Sequence, residues 1–231
     1  MGEERSKGGA RLKYENGDVE LLEKDVIVFL RDIGDPVESY ALKSFSVLNP
    51  QEFGNSDGFF YDETIDFANV NVGLALLVRR SKLIDSLELP EGYRGESILR
   101  KLYQHILNHE IYHYRKKNAE AYRLHGLSRF ESLNEDEISI VREEEHDAEK
   151  FAISQSKKDE DQFLVYLSIL IGYVVDRLIN LEDSGGKEIP TDRFHMSERE
   201  VLARLCPTTL SVGEREAVEI VERARSRSVE S

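Results

Sequence analysis

The feature that most constrains this chain is a five-residue run, His109-Glu110-Ile111-Tyr112-His113, set inside a segment patterned as a long amphipathic helix. Two histidines four apart on a helix lie on one face about one turn from each other, so both imidazoles can reach a single metal ion. The glutamate beside the first can then hold a water on that ion. Ile98, Leu102, Ile106, His109 and His113 follow the three-and-four spacing of one helix face, which passes from apolar side chains to metal-ligating ones along its length.

A metal held this way needs a third protein ligand and one position left for water. The sequence offers an acid cluster, Glu143-Glu144-Glu145-His146-Asp147, downstream of the histidine pair. Val141, Glu145, Ala148 and Ala152 fall on one helical stripe, so Glu145 sits among small apolar neighbours that let its helix pack closely on the histidine helix. Glu144, rotated about 100° around the helix axis, is its nearest competitor.

The pair HEIYH (109–113) and EHDAEKFA (145–152) resembles the gluzincin group of zinc metallopeptidases, in which a HExxH helix is followed by a Glu-x-x-Ala helix that supplies the third ligand. The resemblance covers about 45 residues and implies Zn2+ held by His109, His113 and Glu145, with Glu110 as general base. Glu149 stands where many members carry an Asp that orients a ligand histidine. The segment Asp192-Arg193-Phe194-His195-Met196-Ser197-Glu198-Arg199 is loosely similar to a His-Pro and downstream Arg pattern near the end of several such peptidases, with Met196 in place of the Pro. His195 is accordingly the candidate donor to the oxyanion of a tetrahedral intermediate, with Tyr112, Tyr114 and Tyr173 behind it. His105 and His125 read as surface or loop histidines without a metal.

Other chemistries fit less well. Metzincins need Gly and His three and six residues after the second histidine, where this chain has Lys116 and Ala119. Glu110-x-x-His113 and Glu143-x-x-His146 both match the motif of a di-iron carboxylate bundle, but they leave too little chain between them for a further helix and two loops. A domain of the same fold without activity, used for binding or regulation, is the remaining alternative.

Net charge −14, from 45 acids against 31 bases, argues against nucleic acid, since phosphate binding requires a basic face. A single cysteine, Cys206, and an N-terminus without a secretory pattern suggest a cytoplasmic protein. The longest apolar stretch, Phe163 to Val175, is too short for a bilayer and reads as a core helix.

Residues 1–18 form a polar tail, 19–225 a single domain, and 226–231 a frayed end. Strands are expected at Val26–Leu30, Tyr40–Leu48, Phe59–Tyr61 and Thr64–Val72, the last with a bulge near Asn69. Helices are expected from Gly73 to before Pro90, from Glu96 to Tyr122, from an Asn134/Glu137 capping box to about Ser154, over about 160–181, over Glu198–Leu205 and from Val212 to about Arg225. The expected fold is α+β and zincin-like, with a small N-terminal β-sheet and a mainly helical C-terminal half. The expected function is zinc-dependent cleavage of a protein or peptide substrate, with no nucleic acid or membrane partner.

Overall fold

A computed structural model describes residues 45–48, 57–62, 64, 67–128, 132–185 and 193–230. Among them, helices dominate: α1 (Leu74–Ser86), α2 (Gly95–Lys116), α3 (Ala119–Leu127), α4 (Glu135–Ser156), α5 (Gln162–Asp183), α6 (Glu198–Leu205) and α7 (Val212–Glu230). Three short strands, β1 (Phe45–Leu48), β2 (Gly58–Asp62) and β3 (Phe67–Gly73), pair in the order β1-β3-β2, parallel between β1 and β3 and antiparallel between β2 and β3.

The α+β, zincin-like expectation is therefore corrected: the described protein is mainly helical. Strands of 4, 5 and 7 residues stand against three helices of 22 residues each, and α2 packs chiefly on other helices, α4 and α5. The runs expected as strands at Tyr40–Leu48, Phe59–Tyr61 and Thr64–Val72 overlap β1, β2 and β3, but strands this short are outweighed by the helices of the described residues. The expected strand Val26–Leu30, the tail 1–18 and the first part of Tyr40–Leu48 lie outside the described residues. The bulge near Asn69 is absent, since Gly58 to Asp62 pair with Asn71 to Phe67 without a skipped residue.

The helix expected over Glu96–Tyr122 is two helices. Lys117 takes a left-handed conformation (φ 47°), and its N–H bonds back to the His113 carbonyl at 2.8 Å, which closes α2. Asn118 then starts α3 by accepting from the Ala121 N–H. The Asn134/Glu137 capping box opens α4 as expected: Asn134 Oδ1 accepts from the Glu137 N–H, and Glu137 Oε2 accepts from the Asn134 N–H.

Helix α5 fixes the height of α2. By length and composition it could cross a membrane, yet 56% of its most apolar window is buried within the protein. Leu167, Leu170, Ile171 and Val175 are completely buried in the same core as Ile98, Leu102, Tyr103 and Leu107 of α2. A Cβ at Gly172 would stand 2.5 Å from Leu102 Cδ1, so the two helices cross where α5 carries no side chain. The opposite face of α2 is thereby presented to α4.

Candidate metal centre

Helices α2 and α4 face each other with complementary stripes. His105, His109 and His113 recur every fourth residue on α2, and Glu145 and Glu149 do the same on α4. The small side chains Ala148 and Ala152, both fully buried, let the two helices approach. The stripes meet at the expected ligands: His109 Nε2 lies 3.1 Å from Glu145 Oε2, His113 Nε2 lies 3.4 Å from the same oxygen, and the two Nε2 atoms are 3.2 Å apart.

This triangle fits a metal ion. Ligands at about 2.0–2.2 Å in a tetrahedral shell stand roughly 3.3–3.5 Å from one another. Two ring nitrogens facing each other at 3.2 Å without a metal are a satisfied contact only if one of them carries a proton. His109, Glu145 and His195 also form a group whose ligand atoms all lie within 4.8 Å of one another.

The far nitrogens of His109 and His113 face carboxylates. Glu149 accepts from His109 Nδ1 at 3.1 Å through one oxygen and contacts His105 Nε2 at 2.8 Å through the other. His105 Nδ1 in turn lies 2.9 Å from Ser156 Oγ. Glu144 stands 3.5 Å from His113 Nδ1, and its other oxygen accepts from Asn118 Nδ2 at 3.0 Å. Glu149 holds the His109 ring by Nδ1 and so turns Nε2 towards Glu145, whereas Glu144 Oε1 has no hydrogen-bond partner and faces His113 Nδ1 as a charge. The adjacent acids thus divide: Glu145 faces the Nε2 atoms, whereas Glu144 faces a Nδ1.

His195 reaches the cluster from the segment between α5 and α6. Phe194 and Met196 on either side of it are buried, and His195 itself is exposed, with Nε2 3.1 Å from Glu145 Oε2. Its ring lies 6.1 Å from that of His109 and 6.4 Å from that of His125. The Arg193 carbonyl, accepting from Arg142 Nε at 3.1 Å, ties this segment to α4.

Electrostatically the site is a nest of carboxylates. Burial raises the Glu110 pKa above its ordinary value, against the opposing pull of His109 and His113. Burial would lower His109 and His113, but Glu145 and Glu149 outweigh it at His109, which is raised to about 9, and Glu144 and Glu145 outweigh it at His113, raised to about 10. Burial would raise Glu145 and Glu149, yet the histidines hold both well below the usual carboxylate range. The cluster attracts positive charge, whether protons or a metal ion.

Compared with protein families, curated proteins and solved structures, the chain matches none.

The structure thus brings His109, His113, Glu145 and His195 together, with Glu110 electrostatically coupled to the first three. His105 and His125 are not the surface histidines expected: His105 is buried in the Glu149 contact, and His125 is half-buried against Phe194 and His195. The available signal for His105 was its spacing, four residues before His109. The tyrosines sit elsewhere around the cluster. Tyr112 lies against Phe151, Tyr114 against Phe59, and Tyr173 is perturbed first by burial and then by Glu149. Of the second Glu-x-x-His pair, Glu143 is exposed and His146 interacts with Glu200, which does not suit the di-iron alternative.

Proposed function

We propose that this chain is a zinc-dependent metallopeptidase, with His109, His113 and Glu145 as ligands and Glu110 as general base. The observation that carries this reading is the triangle of His109 Nε2, His113 Nε2 and Glu145 Oε2 at 3.1–3.4 Å, with carboxylates behind both imidazoles. Two neutral imidazoles and one carboxylate suit zinc, and a zinc ion there supplies Lewis acidity, acidifying a water and polarising a peptide carbonyl. Glu110, its basicity raised by burial, takes the proton of the attacking water and delivers it to the leaving amine. His195, on the exposed side of Glu145, donates a hydrogen bond to the oxygen that becomes negative in the transition state. Glu149 keeps the His109 ring oriented, and Glu144 adds negative charge beside His113.

A second reading follows from one distance. His195 Nε2 at 3.1 Å from Glu145 Oε2 would also suit a fourth ligand, which would close the site and make the metal structural. We favour the donor role because the His195 side chain is 42% exposed, whereas those of His109, His113 and Glu145 are 10–11% exposed.

Elemental analysis and peptide hydrolysis test both readings. One zinc per chain is expected, and Glu110→Gln should retain it while losing turnover by at least about 100-fold. His195→Ala should lower kcat more than it changes KM and leave zinc content unchanged. Loss of zinc in His195→Ala would favour the structural reading, and two irons per chain would overturn both.

A further inference from the structure

The histidine stripe of α2 does not stop at the proposed ligands. His105, His109 and His113 face a matching seam on α4 made of Glu145, Glu149 and Ser156. Glu145 meets His113 and His109. Glu149 meets His109 and His105 at 3.1 and 2.8 Å, and Ser156, the last residue of α4, meets His105 at 2.9 Å. His105 is 6% exposed and Ser156 9%, so the seam continues into the interior one helical turn beyond His109.

The chemistry of these groups gives the seam a direction. A carboxylate oxygen only accepts, so the His105 nitrogen that faces Glu149, Nε2, carries a proton. In the neutral ring Nδ1 is then an acceptor, and the Ser156 hydroxyl donates to it. Glu149 is thereby held through both oxygens, one on each imidazole. A carboxylate gripped at one oxygen can turn about its last bond and swing on its long stem. Gripped at both, it stays aligned with Nδ1 of His109.

We propose that His105 is a positioning residue of the metal centre: with its ring fixed by Ser156, it holds Glu149 at the angle that keeps His109 Nε2 turned to the metal. The role rests on the reading of His109, His113 and Glu145 as ligands. It adds that metal affinity is set in part by a side chain that touches neither the ion nor a ligand, and acts on His109 only through Glu149.

Zinc affinity of the full chain, measured by chelator competition, tests this in a double-mutant cycle. His105→Phe, which keeps a ring and loses the donor, should bind zinc about 3–10-fold more weakly, the effect of releasing one long side chain. His105→Gln, whose amide still donates to Glu149, should stay within about twofold of the parent chain. In a Glu149→Ala background, His105→Phe should cause no further loss, because the residue it acts through is gone. Nitrogen NMR of the zinc-loaded parent should show the His105 proton on Nε2, and this measurement decides the matter if His105→Phe fails to fold. Parent-like affinity in His105→Phe, equal loss in His105→Gln and His105→Phe, equal loss in both backgrounds, or a neutral His105 ring with its proton on Nδ1 would each overturn the positioning role while zinc binding stands. A parent chain that binds no zinc would instead overturn the metal centre, and this role with it.

Discussion

Arg80 and Glu145 are both buried charges met by several partners, but the partners differ in kind. Arg80 of α1 donates from Nε and Nη2 to both oxygens of Asp176 at 2.7 and 2.9 Å, and from Nη1 to Asp57 and to the Tyr103 hydroxyl. Its charge is permanent, and its carboxylate partners are opposite in sign. Glu145 is met by three imidazoles, whose charge depends on protons, and three further glutamates, Glu110, Glu144 and Glu149, are coupled to the same rings. The first cluster holds its own fixed counter-charge within the fold. The second needs cations from outside, which is what a binding site for a metal requires.

The contrast is broken most severely at Arg80. Arg80→Leu should leave Asp57 and Asp176 facing one another without their cation and cost about 3–5 kcal/mol, read as a lowered denaturant midpoint, with zinc stoichiometry unchanged in the folded fraction. A loss below about 1 kcal/mol would show that the Arg80 cluster is no more self-contained than the other.

Glu145→Gln probes the opposite case. It removes the carboxylate that the histidines hold well below its ordinary range, so the metal-free protein should lose stability at neutral pH while zinc affinity falls by more than the roughly 10–100-fold typical of an outer partner. Glu144→Gln and Glu149→Gln should fall within that 10–100-fold range. Chelator competition ranks the three, and Glu144→Gln losing more than Glu145→Gln would reverse the roles assigned to these neighbours.

The proton count gives the smallest signal and the sharpest contrast. Without metal, the attraction of the neighbouring carboxylates for the ring protons outweighs burial and leaves His109 at about 9 and His113 at about 10. Both must be neutral to ligate, so near neutral pH zinc should expel about two protons per chain, and its apparent affinity should rise with pH until those values are passed. Titrations in buffers of different ionisation enthalpy measure this, and zero proton release would contradict the site.

Much of the centre was legible because it is written in helical periodicity. His109, His113 and Glu145 were placed by spacing and by the Val141–Ala152 stripe alone, and His195 by a tail pattern. Glu149 gained its role from length, since one glutamate spans His109 and His105 together. His105 was missed because a histidine four residues outside a motif carries no motif signal, although it extends the same stripe. The end of α2 at Lys117 was hidden for a related reason: a left-handed cap is usually marked by Gly or Asn, and here a lysine adopts it. The fold class was misread because short apolar runs before residue 73 were given more weight than the helices that follow.

The order of the proposed ligands along the chain bears on how the protein folds. Only 36 residues separate His109 from Glu145, whereas His195 lies beyond the whole of α5. Closing the short loop costs less chain entropy than bringing in the distant segment. The α2–α4 pairing can therefore act as a metal-dependent nucleus, with His195 arriving when the strand of chain after α5 docks. Zinc present from the first milliseconds of refolding should speed protection of α2 and α4 amides in pulsed hydrogen exchange, and zinc added after collapse should not. Equal rates in both protocols would mean that the metal enters a finished site.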